Sequence, residues 1–177
     1  MENDVHIRLI VSRGLKRTPY QHPNANIKGS TVVIIPEYKK ADKKINENGI
    51  ELVTVKIRRG TSDTQDPRLN TLSKLNCILA CIEADKLGAD EGIMLDVNGN
   101  VSTCNSTNFF IIRDGEVWTS KGTYCLPGIT RKIVIDICKE KNIPIYEKDF
   151  KIKSVHSADE AFVTGTFAGI IPVKKID

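Results

Sequence analysis

The sequence predicts an α/β fold. Two segments, residues 73–87 and 130–142, carry apolar side chains at three- and four-residue steps, the spacing of a helix with one buried stripe. Short β-branched or alternating runs surround them, bounded by Gly, Pro, Asn and Asp. Asn98-Gly99 joins two of those runs and Asp114-Gly115 joins two more, dipeptides that favour tight hairpins.

Residues 5–11 alternate as a strand and Ser12-Arg13-Gly14 breaks it. Residues 15–30 form a polar loop with Pro19, Pro23 and Gly29, long enough to be functional or disordered. Thr31-Val32-Val33-Ile34-Ile35-Pro36 reads as a buried strand, and the lysine-rich 37–48 as a solvated helix or loop ended by Gly49. Ile50–Arg58 alternates as a strand, and Gly60–Pro67 is a loop. In the helix over 73–87, Leu72, Leu75, Leu79 and Ile82 make the expected buried stripe. Ser73 is the expected cap and Gly88 the stop. Lys74 shares a neighbouring face with Ile78 and Cys81, which predicts an inward-pointing lysine.

Gly92–Val97 and Val101–Thr103 are the arms of one hairpin, and Asn108–Arg113 and Glu116–Thr119 those of the next. Leu126-Pro127-Gly128 leads into the helix over 130–142, with Ile133, Val134, Ile137 and Cys138 on one side. Ile143–Tyr146 is a short strand, and Ala158–Thr166 is a strand ending in a small polar turn. Residues 170–177 form another strand-like run.

The 177 residues are 40% hydrophobic and 27% charged, which suits one or two compact domains with a real core. Five scattered cysteines without a CxxC pair favour reduced thiols in a cytosolic protein, and no metal site is expected. The net charge of +4 is spread through loops without interleaved aromatics, which argues against a nucleic-acid surface. No apolar run approaches the roughly 20 residues needed to span a bilayer. The acidic start Met1-Glu2-Asn3-Asp4 is not a signal peptide.

Two turns suit an anion. Pro127-Gly128-Ile129-Thr130 opens a helix, where unpaired amides and the dipole face outward, and Thr130 adds a hydroxyl. Thr164-Gly165-Thr166 offers two hydroxyls around a glycine. A plain helix cap and a plain strand end are the alternative readings. Walker and Rossmann glycine patterns are absent.

Six stretches together resemble the class IV, fold-type IV pyridoxal-phosphate aminotransferases. They are residues 6–14, 66–80, 89–95, 108–112, 126–131 and 158–166, followed by Pro172-Val173. That family includes branched-chain and D-amino-acid aminotransferases and aminodeoxychorismate lyase. The resemblance implies a partial small N-terminal domain, residues 1–62, and a larger cofactor-binding domain, residues 63–177, with the break near 59–68. It implies pyridoxal 5'-phosphate as cofactor, an amino acid and a 2-oxo acid as substrates, and a homodimer. Ile129, Thr130 and Thr166 become phosphate ligands, while Gly165, Phe167 and Ala168 face the substrate. Arg8, Arg17 and His22 lie where the family recruits the substrate carboxylate, Arg17 foremost.

Two positions depart from the family. Asn70 stands where the Schiff-base lysine is expected, and an amide cannot form that bond or shuttle a proton. Thr103 stands where a glutamate pairs with the pyridine nitrogen, so a hydrogen bond replaces a charge. Lys74, four residues after Asn70, is about one helical turn away and is the expected displaced lysine. An apolar setting would lower its pKa. The other expectation is a catalytically impaired relative: the resemblance lacks the family's N-terminal phosphate arginine and its last strands, as a fragment of a longer product would. A lyase of the aminodeoxychorismate type is the third.

Overall fold

The computed structural model describes residues 4–177, with Lys43 described by its backbone alone. The acidic stretch Met1–Asn3 lies outside the described residues. The chain divides into two compact units, Met1–Ala41 and Asp42–Asp177. The break therefore falls before the residues 59–68 expected from the sequence. The reason is that the strand Ile50–Thr54 is built into the large sheet of the second unit.

The first unit is a two-stranded antiparallel ribbon of β1 (Val5–Ser12) and β2 (Thr31–Tyr38), registered from Val5 opposite Tyr38 to Ser12 opposite Thr31. A loop with a single 3-10 turn, Pro23–Ala25, joins them. All of β2 is exposed, so the buried strand expected there is overturned. β-branched content fixes its extended backbone, but a lone ribbon has no second layer to cover either face.

The second unit starts with α1 (Lys43–Asn48), capped by the Asp42 side chain and ended at Gly49. Its sheet contains β3 (Ile50–Thr54), β4 (Glu91–Leu95), β5 (Val101–Cys104), β6 (Asn108–Arg113), β7 (Glu116–Thr119), β8 (Ile145–Glu147), β9 (Glu160–Gly165) and β10 (Gly169–Ile176). Their spatial order is β5-β4-β3-β10-β9-β6-β7-β8. The β3–β4, β3–β10 and β7–β8 pairs are parallel and the others antiparallel. Short helices α2 (Ser62–Gln65) and α5 (Ile152–His156) add to the longer α3 (Leu75–Lys86) and α4 (Ile129–Glu140). Both hairpins form as expected; Asp114 and Gly115 take φ of 51° and 76°, the left-handed pair a two-residue turn requires.

The main core draws Leu52, Ile93, Val101, Phe109, Val163 and Ile171 from six strands, including the edge strand β5, so the sheet curls around it. On the other face, Phe110 and Val117 pack against Val134, Ile135 and Cys138 of α4. Buried on both faces, β6 needs the continuous apolar run Phe109–Ile112 that it has. Ile133 and Ile137, expected on the buried side of α4, are exposed, and Arg131 is buried instead through bonds to Ser120 and Glu147.

Helix α3 overturns the expected stripe more completely. Ala80 and Ala84 are its fully buried residues, and they meet Val55 and Met94. A Cβ on Gly92 would stand 2.6 Å from Val55 Cγ1 and 3.2 Å from the Ala80 carbonyl, so helix and sheet meet at a distance that admits no larger residue. Leu72, Leu75, Ile78, Leu79 and Ile82 are left on the exposed side. Small residues, not the leucines, set this contact.

Candidate functional site

The loops leaving β3, α2 and β5 enclose a cleft of about 570 Å³ against the first turn of α3. Asn70, Lys74 and Thr103, the three positions where the sequence departs from or compensates for the expected pattern, all line it. Hydrogen bonds fix the loop that carries the first two. Asp66 accepts from the Arg68 backbone amide and from its guanidinium, through Nε to both carboxylate oxygens and Nη2 to one. The Arg68 side chain first, and its amide second, hold the Asp66 carboxyl down to about 2. Gln65 Nε2 donates to Thr71 Oγ1 at 2.8 Å and to the Ser73 carbonyl at 2.9 Å, strapping the turn ahead of α3.

Ser73 therefore does not cap α3: its hydroxyl bonds Gln65, and Lys74 occupies the cap position without a side-chain cap bond. Lys74 is exposed, as are Ile78 and Cys81 beside it. The inward-pointing lysine in an apolar setting is thus overturned, because the face it shares turns away from the sheet. Its place in the lining of the cleft remains.

Thr103 is buried on β5 and donates its one hydroxyl proton to the Thr107 carbonyl at 2.6 Å, leaving only acceptor capacity toward a ligand. Asn108 lines the cleft and donates to the Leu126 carbonyl at 3.0 Å. A Cβ on Gly128 would stand 2.1 Å from Asn108 Oδ1, so this glycine lets the start of α4 approach the cleft wall. Ile129 and Thr130 follow as the first residues of α4, their helix uncapped by any side chain at Gly128. Gly165 lies against Thr107, and Thr164 is in register with Asn108. The Thr164 hydroxyl is buried without a hydrogen-bond partner. Both anion-suited turns thus flank the same start of β6. Thr166 and Phe167 are exposed in the turn before β10, and Ala168 packs partly on the main core.

Arg8, Arg17 and His22 lie in the first unit. Arg17 is exposed and donates to the Asn24 carbonyl at 2.8 Å, while His22 Nδ1 accepts from the Asn24 amide. Among the described residues there is no cluster of three metal-ligating side chains.

Sequence reading missed Arg59. Its side chain is buried in the cleft lining, donating to the carbonyls of Tyr124 and Pro67 and to Cys77 Sγ. It also missed Glu91, whose carboxylate accepts from Ser106 and Thr107 at the cleft wall. Arg58-Arg59-Gly60 was the available signal for the first, a charged pair entering a loop.

A curled α/β sheet carries this cleft, and two amide- and hydroxyl-bearing turns of the kind that suits an anion flank the start of β6 beside it. The chain belongs to the amino-transferase class IV family, whose model matches residues 1–176. It is 38% identical over its full length to branched-chain-amino-acid aminotransferase-like protein 2 of Arabidopsis thaliana, of which it covers 32%. The branched-chain aminotransferase of Thermoproteus uzoniensis, solved with norvaline, is 31% identical with a TM-score of 0.86, over 98% of this chain and 57% of that one. An aminotransferase from Brucella abortus bound to the cofactor PLP is 26% identical with a TM-score of 0.84, over 98% and 61%. The chain thus spans about a third of the plant relative and little more than half of the solved ones.

Tested against pyridoxal phosphate, the residues fit at the phosphate end. The close approach at Gly128, the free first-turn amides of Ile129 and Thr130 and the unpartnered Thr164 hydroxyl all flank one strand start. Thr103, the residue expected at the ring nitrogen, offers an acceptor without charge, and position 70, where the lysine is expected, carries no amine.

Proposed function

We propose that this chain is the cofactor-binding portion of a pyridoxal-phosphate aminotransferase that moves an amino group between a branched-chain or D-amino acid and a 2-oxo acid. The observation that carries the reading is that Lys74 lines the same cleft as Asn70 and Thr103 and is, among the described residues, the sole lysine in that lining. When bound, the cofactor supplies an electron sink for the substrate's α-carbon. Ile129, Thr130 and Thr166 hold its phosphate, Gly165 permits close approach, and Thr103 accepts from the ring nitrogen. Asn70 would help to hold the cofactor from the cleft wall. Lys74 would supply the amine that holds the cofactor and moves the proton at the substrate's α-carbon. Phe167 and Ala168 face the substrate's side chain. Borohydride reduction in the presence of pyridoxal phosphate, followed by peptide mapping, is expected to label Lys74; a label absent from Lys74 removes it from this role.

A second reading is favoured by the exposure of Lys74 together with the uncharged Asn70 and Thr103. In it the chain is a catalytically impaired relative that retains the cleft for binding. Persistent lack of yellow colour after soaking with pyridoxal phosphate selects this second reading.

The proposal includes a homodimer, supported by the exposed apolar side of α3. Sedimentation velocity should give twice the chain mass, and Leu75→Glu should shift the equilibrium toward monomer. A reducing cytoplasmic setting is supported by five free cysteines. Among the described residues no helix is long and apolar enough to cross a membrane.

A further inference from the structure

Among the described residues lining the cleft, Arg59 is a buried charge without an opposite charge of its own. Its exposure is 8%, yet each acceptor around it is neutral: Tyr124 O at 2.9 Å, Cys77 Sγ at 2.8 Å and Pro67 O at 3.2 Å. These bonds engage three of the five guanidinium N–H donors and leave two. Asp66 is the carboxylate in the lining, and its charge is committed to Arg68 at 2.8 Å. Arg58 and Lys74, both exposed, add positive charge to the same walls.

The surroundings hold the guanidinium in place. The Arg59 amide donates to the Leu95 carbonyl at 2.9 Å. Ser102 Oγ donates at 3.1 Å to Tyr124 O, the carbonyl that also accepts from Arg59 Nε. Arg59 and Ser102 of β5 thereby share one acceptor. A desolvated cation without a counter-charge is costly, and an anion entering the cleft offsets that cost. The flat guanidinium fork matches the paired oxygens of a carboxylate or phosphate.

We propose that the cleft binds a small molecule non-covalently through an oxyanion, carboxylate or phosphate, seated on Arg59. This goes beyond the cofactor reading and does not rest on Lys74. The full 177-residue chain is titrated calorimetrically with sodium pyruvate and, separately, with inorganic phosphate, against sodium chloride at equal ionic strength. Saturable binding of either is expected, with affinity at least about tenfold weaker in Arg59→Gln. Preference between the two probes identifies which oxyanion source the cleft takes. Arg59→Lys should restore part of the loss, since it keeps the charge without the fork. No saturable binding, or equal affinity in Arg59→Gln, overturns the proposal.

Should Arg59→Gln not fold, alkylation of Cys77 in a Cys81→Ser background replaces it. The oxyanion is expected to slow labelling of the sulfur that Arg59 contacts, and an unchanged rate overturns the proposal. A parallel titration with pyridoxal phosphate, followed by absorbance, separates the two ideas. Cofactor binding without pyruvate or phosphate binding removes this inference alone, and the reverse removes the cofactor reading alone.

Discussion

At the scale of single residues, spacing locates side chains and says little about what surrounds them. Lys74 is expected one helical turn beyond Asn70; α3 begins only at Leu75, so no helical turn joins the two, yet both line the cleft. Its exposure is not legible, because Ile78 and Cys81, which promise an apolar setting, are at the surface too. Arg59 carries no periodic signal, since its partners Pro67 and Tyr124 lie 8 and 65 residues away. The Asp66–Arg68 pair makes a pH prediction. Arg68 depresses the folded value to about 2 from the ordinary 3.8, so the contact is complete above about pH 4 and fades as pH falls toward 2. Asp66→Asn should loosen residues 66–69 at neutral pH, seen as faster hydrogen exchange at the Leu69 amide, which bonds the Asp66 carbonyl. In wild type the same change should need strong acid. Burial, then the nearby Glu91 charge, pushes the Cys104 thiol well up, and burial raises Cys138. Alkylation with mass readout should modify the exposed Cys81 first and spare the buried Cys104, Cys125 and Cys138 until the protein unfolds.

Among elements, the hairpins were the most legible, because Asn-Gly and Asp-Gly fix local backbone whatever lies outside the turn. The helices were legible in position and misread in orientation. A leucine stripe is the usual mark of a buried face, but α3 meets the sheet through Ala80, Ala84 and Gly92. The sequence shows where the small residues are, and only the fold shows that close approach decides the contact. Gly92→Ala forces a methyl to 2.6 Å from Val55 Cγ1 and should cost about 1–3 kcal/mol by denaturant unfolding. Leu72→Ser, on the side away from the sheet, should change monomer stability within about 0.5 kcal/mol. Short α2 and α5 escaped prediction because helices of four and five residues contain too little periodicity to read.

For the whole molecule, the α/β class follows from interleaved patterns, while strand order does not. Nothing in the spacing of β3 and β10 announces that they lie side by side, since that pairing joins residues more than a hundred positions apart, such as Ile50 and Val173. The same pairing moves β3 into the second unit and displaces the expected break. β10 also joins β9, so it bridges the β5-β4-β3 and β9-β6-β7-β8 portions of the sheet. On a ribosome, seven of those strands emerge before the one that ties them together. Until it arrives, β3 and β9 each present an open edge that invites mispairing. Nascent chains halted before Gly169 should therefore stay protease-sensitive and bound by chaperones, and release of the finished strand should convert them in one cooperative step.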